Sequence, residues 1–287
     1  MTLLEHRDSA LDLCATRPLV VLTGAGLSTD SGIPDYRGPG APVRMPMTFQ
    51  EFVAGPEAQQ RYWARSHLGW SRMRRAEPNA GHRAVAGLGA DLVITQNVDG
   101  LHEAVGTPRL VALHGRVADV RCLGCGATSP RAALQDRLER ANPGWAERHA
   151  SVAVRPDGDV DLEATAGFVV PACASCGAGP LKPDVVFFGE NVPRQRVERC
   201  YAAVDALPAR DGVLLVAGSS LTVMSGLRFV RRAAKLDVPV VIVNRGDTRG
   251  DPLATHKVEA GTSEWLSALA AARGVSVPDP SQLDTPA

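Results

Sequence analysis

The sequence predicts an α/β fold, a doubly wound parallel sheet interrupted by a small inserted module. Three observations predict it. Short apolar, β-branched runs bounded by Gly, Pro or Asp recur along the chain. Stretches with helical apolar spacing separate several of them. One stretch, 116–180, breaks the alternation and carries two Cys-x-x-Cys pairs. Runs without polar alternation are strands buried on both faces, as in parallel sheets covered by helices. The architecture is therefore Rossmann-like, with the module in 116–180 and a helical insertion over about 40–80.

The elements follow in order. Residues 3–15 have helical spacing, and Pro18-Leu19-Val20-Val21-Leu22 opens a buried strand that ends at Thr23-Gly24. Further strands are predicted over 91–97, 109–115, 184–190, 212–220 and 238–244. Helices are predicted over about 48–76, 79–88, 193–207, 225–235 and 262–273. Ligands of such sheets bind at the carboxyl ends of the strands. Those ends hold Gly24, Gln96 and Asn97, His114, Gly189 and Glu190, Gly218, Ser219 and Ser220, and Asn244. The main domain is thus discontinuous, 1–115 and 181–274, around the module, with a frayed tail over 275–287.

Composition narrows the function classes. The chain has 287 residues, with 31 Lys+Arg balanced by 31 Asp+Glu. That neutrality argues against a general nucleic-acid binder. The clusters Arg61, Arg65, Arg72, Arg74, Arg75 and Arg228, Arg231, Arg232, Lys235 read mostly as solvated helix faces. No apolar run is long enough for a bilayer. The acidic N-terminal turns are unlike a targeting peptide, so a cytoplasmic location is expected.

Cys122-x-x-Cys125 and Cys173-x-x-Cys176 have zinc-knuckle spacing, each followed by glycine. Four thiolates form a closed tetrahedral site, so one structural zinc ion is expected rather than a catalytic one. Redox pairs or disulfides are the alternatives, and a cytosolic location disfavours the latter. Cys14 and Cys200 lie on apolar helix faces and read as core.

Among the seven histidines, His6, His67, His149 and His256 are expected at the surface. His82 follows the helix start Pro78-Asn79, and His102 lies in a loop beyond a strand. His114 ends a strand next to Gly115, at the edge that also receives Asn97 and Asp99. A histidine there can take a proton from a hydroxyl.

The segment Thr23 to Gly38 begins as a dinucleotide-binding turn, with Gly24 and Gly26 after a strand. It has Thr29 where the usual fingerprint has its third glycine, and it runs into Ile33-Pro34-Asp35-Tyr36-Arg37 rather than toward an acidic clamp. An ordinary dehydrogenase is disfavoured on that ground.

Taken together the motifs resemble one family, the sirtuins, NAD-dependent protein-lysine deacylases. The resemblance rests on Gly24-Ala25-Gly26-x-Ser28 through Arg37, on Thr95 to His102, and on Leu113-His114-Gly115. It rests further on the cysteine pairs, Pro183 to Glu190, Gly218-Ser219-Ser220-Leu221 and Asn244. It covers about residues 8–270, and the RYWARS and GSSLTVMSGLRF stretches look like the class II branch.

The resemblance implies that NAD is a co-substrate that is cut. Gly24, Ala25, Gly26 and Ser28 would cradle its pyrophosphate, and Ile33, Pro34, Asp35, Tyr36 and Arg37 would cover the nicotinamide ribose. Gln96, Asn97, Val98 and Asp99 would shape the ribose and nicotinamide pocket. Gly218, Ser219, Ser220, Asn244, Arg245, Gly246 and a backbone group near Ala260 would line the adenosine end.

His114, with Asn97 and Asp99, would be catalytic. His114 would remove a proton from a ribose hydroxyl, and the products would be lysine, nicotinamide and O-acyl-ADP-ribose. The partner implied is an acylated lysine-containing protein or peptide. It would lie as an added strand between Val186, Phe187, Phe188, Gly189, Glu190 on one side and Leu221 to Met224 on the other. Tyr62 and Arg65 have the spacing that holds acidic acyl chains in desuccinylating members. Mono-ADP-ribosyl transfer to protein and a non-catalytic NAD-sensing scaffold are the alternatives.

Overall fold

The computed structural model describes residues 3–35, 46–149 and 165–275. Tyr36 and Arg37, part of the stretch between the cysteine pairs and the tail beyond 275 lie outside the described residues.

Helix α1 (Leu3–Thr16) leads into β1 (Leu19–Thr23). Then come α2 (Phe49–Val53), α3 (Pro56–Met73), α4 (Ala80–Gly87), β2 (Leu92–Thr95), the short α5 (Leu101–Ala104) and β3 (Leu110–Ala112). The next group is β4 (Gly115–Cys122), β5 (Thr128–Pro130), α6 (Arg131–Ala141), α7 (Trp145–Arg148) and β6 (Leu181–Val185). The chain finishes with α8 (Arg194–Asp205), β7 (Val213–Ala217), α9 (Met224–Lys235), β8 (Val240–Val243), β9 (His256–Val258) and α10 (Thr262–Ala272).

The 6-stranded sheet runs β3-β2-β1-β7-β8-β9, with every neighbouring pair parallel. Alternation along each strand feeds two cores. Leu19, Val21, Leu215 and Val243 face α1, α4 and α10, where Trp265 is fully buried. Val20, Leu22, Ile94, Leu214 and Ile242 face α8 and α9 with Phe229. Both faces are covered, so the middle strands β1, β2, β7 and β8 are apolar apart from the threonines that end β1 and β2, with no polar alternation to mark a side. The order reverses at β1, and β1 and β7 leave the sheet side by side, which opens a crevice at their carboxyl ends.

Three sequence expectations change. The run 184–190 is not a strand of the main sheet. Its first residues close β6, which pairs antiparallel with β4 in a 3-stranded sheet β5-β4-β6. Beyond Val185 the chain turns, with Glu190 N–H donating to Phe187 O at 3.0 Å. Its phenylalanines are apolar because they wall a cavity, not because they fill a sheet. The sixth strand of the main sheet is instead β9, whose His256 and Lys257 hide it from a hydropathy reading. The helix expected over 48–76 is two helices broken at Gly55, and α2 starts on a capping box of Thr48 and Glu51.

A third core lies between the small sheet and α3. Trp63 of α3 is fully buried there with Val120, Leu138, Trp145, Phe168 and Leu181. The indole Nε1 of Trp63 donates to Leu181 O at 2.7 Å. His67, expected at the surface, is buried on the same helix, its Nδ1 accepting from Gln135 Nε2 at 2.8 Å. Helix α3 is covered on a second face by the small module, which the sequence of α3 alone does not announce.

Candidate active site and metal centre

The crevice at the switch point is a cavity of about 1430 Å³. That exceeds the usual few hundred to one thousand Å³ of a small-ligand pocket and leaves room for a dinucleotide beside a second substrate. Its wall collects residues from every predicted motif except the cysteine pairs. The first supplies Gly24, Ala25, Gly26, Ser28, Ile33, Pro34 and Asp35, the second Gln96, Asn97, Val98 and Asp99, and then comes His114. The far end is lined by Gly218, Ser219, Ser220, Leu221, Asn244, Arg245 and Gly246. The near end is lined by Tyr62, Arg65, Val186, Phe187, Phe188, Gly189 and Glu190. Ala260 is not in this wall. It packs, half-buried, against the apolar core behind it, because the turn from β9 into α10 directs it inward.

The glycine turn differs from expectation in two ways. It is followed by two 3-10 turns, Ala25–Leu27 and Thr29–Ser31, rather than by an α-helix. The amides of Gly24 and Gly26 donate to the carbonyls of Ala217 and Gly218, at 3.1 and 2.8 Å. These two N–H groups lock β1 to β7, so they do not form the anion cradle that a helix start would offer.

A polar network joins the first two motifs. Asn97 Nδ2 donates to Gly24 O at 3.0 Å and to Ser28 Oγ at 2.9 Å. The Ser28 hydroxyl in turn donates to Asp99 Oδ2 at 2.7 Å. Asp99 Oδ1 accepts from Leu101 N–H at 2.9 Å. Burial pushes the Asp99 carboxyl above its ordinary range, opposed by the donors Leu101 and Ser28. Gln96 extends its Nε2 to Ser219 Oγ at 2.8 Å, bridging the second motif to the end of β7.

His114 sits where the chain passes from β3 into β4. Gly115 follows it with φ +79°, and a Cβ there would fall 1.8 Å from Asp184 O, so no other residue fits the seam. The ring Nδ1 lies 2.9 Å from Gln96 O, and Nε2 lies 2.7 Å from Ser225 Oγ. A carbonyl only accepts, so Nδ1 carries the proton of the neutral ring and Nε2 is the basic nitrogen. Burial pushes His114 below the ordinary histidine range. Its bond to Gln96 pulls the other way, while Arg196 and Arg228 add to the lowering. The neutral form, which a general base needs, is therefore the resting form at neutral pH.

His102 and His82 have structural partners instead. His102 bridges Thr23 Oγ1 at 3.0 Å and Thr107 Oγ1 at 3.2 Å. His82 closes the capping box of Asn79 on α4.

The near wall is aromatic. Phe187 packs edge-on against Phe52 with ring centroids 5.5 Å apart, and lies 5.3 Å from Tyr62. Arg65 is half-buried at the cavity, one turn along α3 from Tyr62, and not on a solvated helix face. Two residues that sequence reading did not single out support this wall. Lys182 Nζ pairs with Glu190 Oε2 at 3.0 Å and lies 4.6 Å from the Phe187 ring centroid. Arg131 of α6 is buried between Trp63 and Trp70, 5.1 and 4.9 Å from their rings. A lone Lys or Arg in sequence carries no mark of such burial.

The four cysteines converge. The sulfurs of Cys122, Cys125, Cys173 and Cys176 all lie within 4.8 Å of one another and form no disulfide. The Sγ–Sγ distances of 3.8 Å for Cys122–Cys176 and 3.9 Å for Cys125–Cys173 match the edge of a tetrahedron around zinc with bonds of about 2.3 Å. The donor set is soft and closed, and none of the four cysteines lines the cavity, which fits a structural zinc ion.

The geometry agrees with known proteins. The Sir2 family model matches residues 24–225. An NAD-dependent protein deacetylase 1 of Mycobacterium avium (strain 104) is 55% identical over 263 residues, covering 89% of this chain and 92% of its own length. A protein of the same description from Streptomyces coelicolor is 54% identical over 269 residues, covering 91% and 88%. Among solved structures, a Sir2 with deacetylated p53 peptide and 3'-O-acetyl ADP-ribose superposes with a TM-score of 0.72 at 27% identity, covering 94% of this chain and 99% of that one. A Sir2 with p53 peptide and NAD+ gives 0.70 at 28% identity, covering 93% and 98%. With its motifs gathered on one cavity and a family match spanning most of its length, the chain belongs to the Sir2 family.

Proposed function

We infer that this chain is an NAD-dependent protein-lysine deacylase with one structural zinc ion. The observation that carries the reading is His114. It lines a dinucleotide-sized cavity, and its bond to Gln96 O sets the tautomer in which Nε2 is the basic nitrogen. NAD, when bound, supplies the anomeric carbon that accepts the acyl oxygen as nicotinamide leaves.

The protein's own groups do the rest. Asn97, Ser28 and Asp99 form a prearranged polar floor whose partners are already paired, so it holds its shape when substrate enters. In this reading Asp99 accepts from the carboxamide of nicotinamide. His114 is the base that drives loss of the ribose hydroxyl proton, which makes that oxygen the nucleophile toward the acyl carbon. Ile33 and Pro34 screen the centre from water. Gly218, Ser219, Ser220, Asn244, Arg245 and Gly246 receive the adenosine half.

The acyl-lysine peptide lies between the turn 186–190 and the segment Leu221–Met224. Phe188 O already accepts from Phe49 N–H at 2.9 Å, so the peptide meets a partly paired edge rather than an open strand. Tyr62 and Arg65 flank the acyl end of the cavity, and an arginine there suits an acidic acyl chain. Four reduced thiolates around zinc suit a cytoplasmic location.

Mass spectrometry of the protein with NAD and acetyl-, succinyl- and glutaryl-lysine peptides tests the reading. Wild type is expected to yield O-acyl-ADP-ribose and free lysine, and His114→Ala to lose both by about two orders of magnitude or more. Arg65→Met is expected to lower turnover of the acidic acyl peptides relative to acetyl. Release of nicotinamide with ADP-ribose left on protein, and no deacylated peptide, would transfer the assignment to mono-ADP-ribosylation.

A further inference from the structure

Ser225 stands in the first turn of α9, in the wall of the cavity, and is 8% exposed. Its Oγ is 2.7 Å from His114 Nε2. Since Nδ1 holds the ring proton against Gln96 O, Nε2 can only accept, and the serine hydroxyl is the donor. The lone pair that the base needs is thus already filled by Ser225 O–H. A substrate hydroxyl has two routes to His114. It displaces the serine, or it hands its proton through the serine.

The surroundings favour passage. The helix comes this close because Gly226 has no side chain; a Cβ there would fall 2.4 Å from Gln96 Oε1. The same Gln96 supplies the carbonyl that orients His114, so Ser225, His114 and Gln96 form one packed series. Ser225 also lies at the N-terminus of a 12-residue helix, whose dipole favours negative charge developing on Oγ during transfer.

We propose that Ser225 is a catalytic proton-relay residue: the ribose hydroxyl gives its proton to Ser225 Oγ as Ser225 gives its own to His114 Nε2. The proposal rests on the deacylase reading above. The bonds balance. The ribose O–H and the original Oγ–H break, a new Oγ–H and an Nε2–H form, the ribose oxygen becomes the nucleophile and the imidazolium carries the positive charge. Ser225 ends as it began.

The test compares wild type, Ser225→Ala, Ser225→Thr and His114→Ala in two assays. One follows labelled nicotinamide exchanging into NAD in the presence of acetyl-lysine peptide, which needs the glycosidic bond cut but no general base. The other follows single-turnover formation of O-acetyl-ADP-ribose. Ser225→Ala is expected to keep exchange within about twofold and to slow product formation by roughly a hundredfold, with Ser225→Thr recovering much of the loss. Mixed light and heavy water should give a bowed proton inventory for wild type, since two protons move, and a straight one for Ser225→Ala.

Product formation at the wild-type rate or faster in Ser225→Ala would overturn the relay, because the hydroxyl would then only obstruct the base. Equal loss in both assays would overturn it as well, reducing Ser225 to a structural part. A wild type that shows neither exchange nor product would overturn the deacylase reading and the relay with it. Full activity in both assays for wild type and Ser225→Ala alike would sink the relay alone.

Discussion

His82 and His102 stand ring against ring, centroids 5.0 Å apart at 66°, and both are buried. Burial pushes His102 down to about 4. It pushes His82 down to about 3, with the neighbouring His102 and Arg83 adding to the effect. An unfolded histidine titrates near 6.5. Between that value and the depressed folded values the unfolded chain binds more protons than the folded one. Stability is therefore full above about pH 6.5, falls as pH drops through the window and levels off below about pH 3. Within the window each of the two costs about 1.4 kcal/mol per pH unit. Urea unfolding at pH 7 and pH 5 should show that decline, and His102→Asn should make it shallower while His82 keeps its share; equal stability at both pH values in wild type would mean the rings are not held neutral.

At this scale the sequence pointed to His114 because Asn97, Asp99 and the glycine turn arrive at the same edge; a strand-end histidine alone reads as structural. It did not show Ser225. A serine at a helix start ordinarily reads as a cap, and its partner is 111 residues away.

Helix α3 turns one face to the cavity with Tyr62 and Arg65 and another to the small module with Trp63 and His67. Arg131 is wedged against that second face, donating to Ser66 O at 3.3 Å, while its Nη1 has no partner among the described residues. Burial lowers its guanidinium to about 10. Two cation–π contacts contribute about 1–2 kcal/mol each when desolvated, and burying an unpaired charge costs several. The shape of the side chain then matters more than its charge. Arg131→Met should unfold within about 1 kcal/mol of wild type or later, and Arg131→Ala about 2–4 kcal/mol earlier through the cavity it leaves. Thermal denaturation checks both, and a Met variant as unstable as the Ala variant would show that the charge itself holds the wedge.

Elements were legible where periodicity was long, as in α8, α9 and α10. They were not where composition served two masters. Phe187 and Phe188 look like a buried strand but wall a cavity, and His256 and Lys257 look like loop but pair with β8 at the sheet edge.

For the molecule as a whole the zinc site and the cavity share a core. Cys122 and Cys173 pack with Trp63, Trp145 and Phe168, next to Tyr62. Removing the metal lets the thiolates take up protons and unties the four cysteines from one another, which loosens that core. Chelation should abolish deacylation and shift tryptophan emission to the red, from Trp63 and Trp145, while Trp265 in the main core keeps its protection. Unchanged emission and rate in metal-free protein would refute the structural role. The sequence made the four cysteines legible by spacing, but not that their core is shared with a helix that lines the cavity.

The small module also leaves and rejoins the main body at one place. Gly115 and Val185 are register partners at the open end of the β4–β6 pair, directly after His114. Everything between them is a detour that starts and finishes at the same point of the fold. Length changes between Cys125 and Cys173 are absorbed inside that detour, and neither the register of the parallel sheet nor the placement of His114 has to answer for them.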